Sequence, residues 1–144
     1  MLRGLDPLLT ADLLHALRAM GHGDTITIVD ANFPAAACAK RLITAQGSDA
    51  SAMVRAILSV LPIDDFIPHP LLTMQVVGEP ATIPPAVAEL RAIATEAGAA
   101  HSQMATTDRH DFYRIARDSF AIVATGDRRL YANIAITKGV IRLA

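Results

Sequence analysis

The residue best placed by its neighbours to do chemistry is a histidine between two glycines, in the segment Gly21-His22-Gly23-Asp24. Because glycine has no side chain, a ligand can approach the imidazole of His22 closely. Histidine is also the side chain whose ordinary pKa suits proton transfer near neutral pH. The same segment fits the C-terminal cap of a helix, with His22 facing the last carbonyls. The spacing alone favours the cap, since short motifs often occur by chance.

A second polar segment, Asp30-Ala31-Asn32-Phe33-Pro34, follows a run of β-branched residues that predicts a strand. In α/β proteins, ligands bind at the loops that follow the carboxyl ends of strands. The carboxylate of Asp30 and the amide of Asn32 can bind sugar hydroxyls, and Phe33 can supply an apolar wall. A turn in which Asp30 and Asn32 bond to nearby backbone explains the segment equally well.

A third candidate is the pair Tyr131 and Asn133, near the end of the sequence. The two side chains project to the same side of an extended segment, because side chains alternate along a strand. A phenol and an amide placed in this way can bind hydroxyl groups. Taken alone, such a pair more often belongs to an ordinary surface strand.

Several familiar catalytic motifs are absent. The sequence has no phosphate-binding loop, no dinucleotide-binding glycine motif, no nucleophile elbow and no zinc-protease motif. Its five histidines lack metal-ligand spacing, and a single cysteine, Cys38, excludes a thiolate zinc site. The sequence therefore predicts chemistry without a metal or a cofactor.

The elements that must position these residues alternate between helices and strands. Predicted strands lie at 24–30, 41–45, 71–77, 101–106, 120–125 and 133–137. Predicted helices run from Thr10 to Gly21, from Ser48 or Asp49 to Pro62, from Pro84 to Gly98, and from Asp108 to Asp118. This alternation predicts an α/β fold, with one domain over residues 1–144 and three layers in which helices pack on a largely parallel central sheet.

Composition and net charge indicate which kinds of partner the protein could bind. The chain has 144 residues, of which 52% are hydrophobic and only 19% are charged, below the roughly 25% typical of globular domains. Apolar surface is then left over, and self-association buries it, so we expect a homo-oligomer. A formal net charge of −1 without a basic patch argues against nucleic acid and anionic membranes as partners.

The sequence also bears on location. No uncharged apolar run reaches the length of about 18 residues that a membrane span needs. The first apolar stretch is interrupted by Asp12, His15 and Arg18, unlike a signal peptide. A lone cysteine suits a reducing compartment, and we expect a cytoplasmic protein.

Read in order, these segments resemble the RbsD/FucU family of sugar mutarotases, which comprises D-ribose pyranases and L-fucose mutarotases. The similarity is closer to the fucose branch, because of Gly-His-Gly-Asp, Asn-Phe-Pro and Arg109 ahead of Phe-Tyr. Two positions depart from that branch: Ala132 stands where it usually has glycine, and Asn32 replaces a histidine of some bacterial members. The blocks that carry the resemblance span nearly the whole chain: Leu13-Leu14, Met20–Asp24, Asp30–Pro34, Asp108–Tyr113, Ala121–Gly126, Tyr131–Asn133 and Lys138–Val140.

The resemblance implies an RbsD-like fold in a symmetric oligomer, commonly a decameric ring, with the site near a subunit contact. It implies cofactor-free interconversion of the α and β anomers of a free monosaccharide, with L-fucose as the first expectation. The alternatives are a ribose pyranase-type activity and a non-catalytic sugar-binding or transport-associated accessory protein.

The resemblance also assigns roles to residues. His22 is the expected proton donor, and four residues are expected to bind substrate: Asp30, Arg109, Tyr131 and Asn133. Asp30 would either orient His22 or hold a hydroxyl, and Tyr131 is an alternative carrier of the second proton. Phe33 and Phe112 are expected to lie against an apolar face of the sugar.

Overall fold

Six strands and five helices alternate along the chain, and the computed structural model describes every residue from Met1 to Ala144. The strands are β1 (Thr25–Val29), β2 (Leu42–Ala45), β3 (Leu71–Met74), β4 (Met104–Thr107), β5 (Ala121–Thr125) and β6 (Ile134–Thr137). The helices are α1 (Ala11–Ala19), α2 (Ala35–Cys38), α3 (Ala50–Leu58), α4 (Pro85–Glu96) and α5 (Arg109–Asp118), with a 3₁₀ turn at His101–Gln103. No helix here combines the length and the apolar character that a membrane crossing requires.

One mixed sheet contains all six strands, in the order β2-β5-β1-β6-β3-β4. β5 pairs in parallel with β1 and with β2, and β3 pairs in parallel with β4. β6 runs antiparallel to both of its neighbours, β1 and β3, so the two parallel groups point the same way. The loops that follow the five parallel strands therefore meet at one edge of the sheet, which we call the C-terminal edge. The loops that precede them meet at the opposite, N-terminal edge.

Helices cover both faces of the sheet and produce the three layers that the sequence predicts. On one face, 25 buried side chains from α1, α3, α4 and the strands form the main core. Ile26 and Ile28 of β1 point into this core. Val29 points to the opposite face, where it packs with Cys38 of α2 and Ala116 of α5. The predicted α/β class, with helices on a largely parallel sheet, is confirmed.

The differences from the predicted elements are local. The sequence does not predict α2, a single turn without a side-chain cap. β4 begins only at Met104, after a 3₁₀ turn. β3 ends at Met74, because the chain turns back at Val76, which forms a bridge with Glu79. Of the two candidate caps for α3, Asp49 is the one used, since its carboxylate accepts from a backbone N–H of the first turn at 2.7 Å.

Candidate active site

His22 lies at the N-terminal edge of the sheet, in the loop between α1 and β1. Gly23 has a φ of +87°, which glycine adopts without strain, and its N–H donates to the carbonyl of Lys138 at 2.9 Å. The Lys138 ammonium donates to the carbonyls of Leu17 and Met20, at 2.8 and 2.6 Å. Lys138 therefore caps α1, and the His22 side chain, 42% exposed, is open to a ligand. An accessible imidazole, and not a capping histidine, is what the loop presents.

A buried carboxylate orients this imidazole. Nε2 of His22 lies 2.9 Å from Oδ1 of Asp64, whose side chain is only 1% exposed. The backbone N–H of Asp64 donates to the Thr137 carbonyl at 3.0 Å. Nε2 of Gln103 donates to the Asp64 carbonyl at 3.2 Å. An ionised carboxylate can only accept, so Nε2 of His22 carries the hydrogen and Nδ1 is the nitrogen available to a ligand.

An exposed aromatic ring stands beside the imidazole. The Phe66 ring centroid lies 4.7 Å from that of His22, with the planes tilted by 57°. The Arg142 guanidinium carbon lies 5.3 Å from the Phe66 centroid, and Arg142 donates to both carboxylate oxygens of Asp65 at 2.5 and 3.0 Å. This guanidinium lowers the pKa of Asp65. The N-terminal edge thus presents an acid–base group with an apolar wall.

The other predicted site residues lie at the C-terminal edge. Asp30 follows β1 directly and is 5% exposed. Nδ2 of Asn133 donates to Asp30 Oδ2 at 3.0 Å, and Oδ1 of Asn133 accepts from the Asp30 N–H at 2.8 Å. The Asn32 N–H donates to Asp30 Oδ1 at 2.9 Å, so the predicted local turn is also present. Burial raises the pKa of Asp30, and these hydrogen bonds only partly offset that effect.

Arg109 lines a cleft at the same edge, and Tyr131 hydrogen-bonds Val77, another residue that lines it. Tyr131 has a φ of +64°, a left-handed conformation that is uncommon for residues other than glycine and is concentrated at functional sites. Its hydroxyl accepts from the Val77 N–H at 3.2 Å, beyond the end of β3. Arg109 begins α5 and is exposed, with its guanidinium 5.6 Å from the Tyr113 ring centroid. A cleft of about 430 Å³ opens between the loops after β3 and β4 and is lined by Val77 and Arg109 among others.

An ion pair between the buried Asp127 and the exposed Arg129 anchors the loop that carries Tyr131. Both carboxylate oxygens of Asp127, 2% exposed, accept from Arg129, at 3.0 and 2.7 Å. Asp127 also accepts from the Ala50 N–H at the start of α3, at 3.1 Å. Arg129 pairs with Glu89 of α4 as well and donates to Ser51 of α3 at 3.1 Å. The loop between β5 and β6 is therefore tied to two helices.

Removing the carboxylate charge of Asp127 should lower the free energy of unfolding by an amount that depends on pH. Arg129 lowers the pKa of Asp127 below its ordinary value of 3.8, so the folded protein binds that proton less readily than the unfolded chain. The stabilisation is complete above the unfolded pKa and is lost as the pH falls through the lower folded pKa. We expect Asp127→Asn to lower the free energy of unfolding by about 2 kcal/mol at pH 7, less than for a fully buried pair because solvent reaches Arg129. Urea unfolding should show that this difference shrinks toward pH 3.

Asp118→Asn serves as the control, because Asp118 is exposed and its carboxylate has no ion pair. It should leave the free energy of unfolding within about 0.5 kcal/mol of the parent. A difference for Asp127→Asn that is the same at both pH values would contradict the role given to its charge.

Within one chain, His22 and Asp30 do not meet. One precedes β1 and the other follows it, so the five residues of the strand separate them, about 16 Å at a rise of about 3.3 Å per residue. Asp30 therefore cannot orient the imidazole of its own chain, and the structure gives that role to Asp64. Asp64 was missed at the sequence level; its only signal there is an acidic pair, with Asp65, in a proline-bounded apolar loop.

The two phenylalanines expected to pack against the sugar, Phe33 and Phe112, differ in how far they are buried. Phe112 has no exposed surface and packs with Met74 and Ala135, so its predicted contact with a sugar is wrong. Phe33 is half-buried, with edge-to-face contacts to Phe112 and Tyr113 at centroid distances of 6.0 and 5.1 Å. Phe33 also lines a cavity of about 390 Å³ that includes Asp30.

The remaining histidines form no cluster. No group of three or more His, Cys, Asp or Glu side chains is placed to hold a metal ion. His22 is the one histidine that hydrogen-bonds a buried carboxylate. The four others are exposed: His15, His69, His101 and His110.

Comparison with known sequences gives a consistent result. The profile of the RbsD / FucU transport protein family matches residues 3–141. Human fucose mutarotase is 37% identical over 148 residues, which cover 99% of this chain and 96% of the human protein. The L-fucose mutarotase of Haemophilus influenzae is 37% identical over 141 residues, covering 97% of each chain.

Solved structures agree with these sequences. The fucose mutarotase of Streptococcus pneumoniae, in complex with L-fucose, superposes with a TM-score of 0.93 at 35% identity and covers 98% of this chain and 100% of its own. Protein Atu2016, described as sugar-binding, gives 0.92 at 38% identity and covers 99% and 97%. Bacillus subtilis RbsD with D-ribose gives 0.76 at 18% identity, a likeness of fold alone, covering 99% and 100%.

Proposed function

The chain belongs to the RbsD/FucU family, and from this premise we propose that it is a mutarotase that interconverts the α and β anomers of free L-fucose without a cofactor. Relatives that match it over nearly their full length are named fucose mutarotases, one of them solved with L-fucose bound. The observation that carries the proposal is the exposed imidazole of His22 hydrogen-bonded to the buried carboxylate of Asp64.

Mutarotation needs two proton transfers. The ring oxygen gains a proton, the anomeric hydroxyl loses one, and the bond between C1 and the ring oxygen breaks to leave an open aldehyde. Rotation about the C1–C2 bond followed by reclosure gives the other anomer. General acid–base catalysis by a positioned side chain contributes about 10²- to 10⁴-fold, a useful acceleration for a reaction that already proceeds in water.

His22 is suited to the first transfer. With Nε2–H held by Asp64, the protonated imidazole donates from Nδ1 to the ring oxygen and recovers that proton on reclosure. Between these steps the imidazole is neutral, and its hydrogen bond to Asp64 holds the tautomer in which Nδ1 is free to take the proton back. Asp64 acts through His22 and is thus a positioning residue.

Two subunits would have to build each complete site, because His22 and Asp30 lie at opposite edges of the sheet. Exposed apolar side chains flank both half-sites: Phe66 and Ile67 beside His22, 63% and 43% exposed, and Val77 and Leu130 around Tyr131, 62% and 66% exposed. Contact between the two edges in neighbouring copies would bury all four side chains. We therefore propose a homo-oligomer in which His22 meets the partner subunit's Asp30.

The C-terminal edge would bind the sugar. Asp30 and Asn133 orient each other and keep lone pairs and one amide hydrogen for hydroxyl groups. Arg109, at the exposed start of α5, can donate to a hydroxyl from the rim of the cleft. Tyr131, held by Val77, either binds a hydroxyl or relays the anomeric proton, accepting it while passing its own phenolic proton to a water molecule.

A sugar-binding protein without catalysis is the second candidate, and the description of Atu2016 favours it. Such a protein needs the hydroxyl-binding residues but not an oriented imidazole. Magnetisation exchange between the two anomeric proton signals of L-fucose separates the two functions. We expect the wild-type protein to increase the exchange rate in proportion to its concentration. Signal broadening or a change of anomer populations without faster exchange would support the binding protein.

A further inference from the structure

Phe66 is held in place although it contributes to no buried cluster. Its side chain is 63% exposed, yet it stands 4.7 Å from the His22 ring on one side and 5.3 Å from the Arg142 guanidinium on another. Asp65 in turn accepts from two nitrogens of Arg142. Asp65 and the distant Arg142 thus fix an apolar ring beside His22, although this ring lies outside the core.

The chemistry of the reaction indicates what this ring would meet. An acid that protonates the ring oxygen of a pyranose lies beside an atom with only two neighbours, C1 and C5. C1 carries the anomeric hydroxyl, which needs a hydrogen-bonding partner and loses one against an aromatic ring. C5 carries a substituent that differs among sugars: a methyl group, a hydroxymethyl group or hydrogen. A methyl group is the one that gains from leaving water against Phe66.

We infer that Phe66 is a specificity-determining residue that selects 6-deoxyhexoses by packing against the methyl group on C5. Asp65 and Arg142 position its ring. This inference rests on the proposed function and assigns the substrate class of the same site. It also explains why an exposed aromatic ring is useful next to His22: a flat apolar surface binds the substituent without competing for the acid's proton.

Three sugars test the inference, because their pyranose forms share configuration from C2 to C4 and differ only on C5. L-Fucose carries methyl, L-galactose hydroxymethyl and D-arabinose hydrogen. We expect the wild-type protein to catalyse anomer exchange of L-fucose with the highest kcat/KM. Phe66→Ala should lower that value about tenfold, mainly through KM, and change the value for D-arabinose by less than about twofold. Phe66→Tyr, which keeps the ring face, should retain the preference.

Ile67→Ala is the matched control, because Ile67 is the next residue in the same loop, is apolar and is 43% exposed. It should leave the preference for L-fucose unchanged. Equal losses for all three sugars in Phe66→Ala, with or without a lower oligomer mass by light scattering, would leave Phe66 with no role beyond the proposed subunit contact and would overturn the inference. Wild-type protein that accelerates exchange of none of the sugars would instead overturn the proposed function itself.

Discussion

Anomer exchange of L-fucose should fall to the uncatalysed rate when His22 is replaced by alanine, a loss of about 10²- to 10⁴-fold. The loss follows because His22 is the one histidine at the N-terminal edge that is hydrogen-bonded to a buried carboxylate, and no second group there can replace it. The fold should persist, since the imidazole is 42% exposed and belongs to no core cluster. The measurement is magnetisation exchange, with oligomer mass recorded for each variant.

His22→Gln strengthens this test, because alanine leaves the Asp64 carboxylate without its donor and could disturb the loop. Glutamine restores an N–H donor but carries no transferable proton, so it should be as inactive as alanine. His69→Ala is the control: His69 is exposed, lies at the same edge of the sheet and should be dispensable. Near-normal exchange in both His22 variants would remove this residue from the mechanism.

Mixing two inactive variants should restore activity, which is the second large effect that we expect. One variant carries His22→Ala, and the other carries Asp30→Asn with Arg109→Ala. If a complete site needs His22 from one subunit and the partner subunit's Asp30 and Arg109, random co-assembly at equal amounts leaves about one quarter of the sites intact. The signal is a gain from almost nothing to about one quarter of wild-type exchange.

The experiment requires that both variants be present in the same oligomer. Co-expression with two different affinity tags, followed by purification through both, ensures that every oligomer holds both variants. Recovery of activity in the doubly tagged oligomer, with none in either variant alone, supports the shared site. Absence of recovery in an oligomer that contains both variants would mean that each chain completes its own site, against the proposed arrangement.

The elements were predictable where local signals were strong. Asp49 has a carboxylate suited to an N-cap, Pro84 and Pro85 begin a helix well, and β1 is a β-branched run, so these elements match the structure. α2 has no comparable signal, because a single turn of small residues after Pro34 is stabilised by packing of Ala35 and Cys38 and not by propensity. Strand order was not predictable, since pairing of β1 with β6 joins residues 112 positions apart.

The candidate site was predictable by residue but not by arrangement. Residue types marked His22, Asp30, Tyr131 and Asn133 as candidates, and Asn133 does hydrogen-bond Asp30. Asp64 could not be paired with His22 from the sequence, because that contact depends on how the loop before β3 sits against the end of β6. The separation of His22 from Asp30, in contrast, was already implicit in their positions before and after the same strand.

The central place of β6 in the sheet has a consequence for biosynthesis. As a nascent chain leaves the ribosome, β2, β5 and β1 can associate, and β3 can pair with β4, but no strand pairing joins the two groups until residues 134–137 have emerged. Up to that moment, β1 and β3 each present an unsatisfied backbone edge of the kind that recruits stray strands. A stop codon shortly before Ile134 would therefore release a chain with two unpaired strand edges that is prone to aggregation, and not a slightly shortened enzyme.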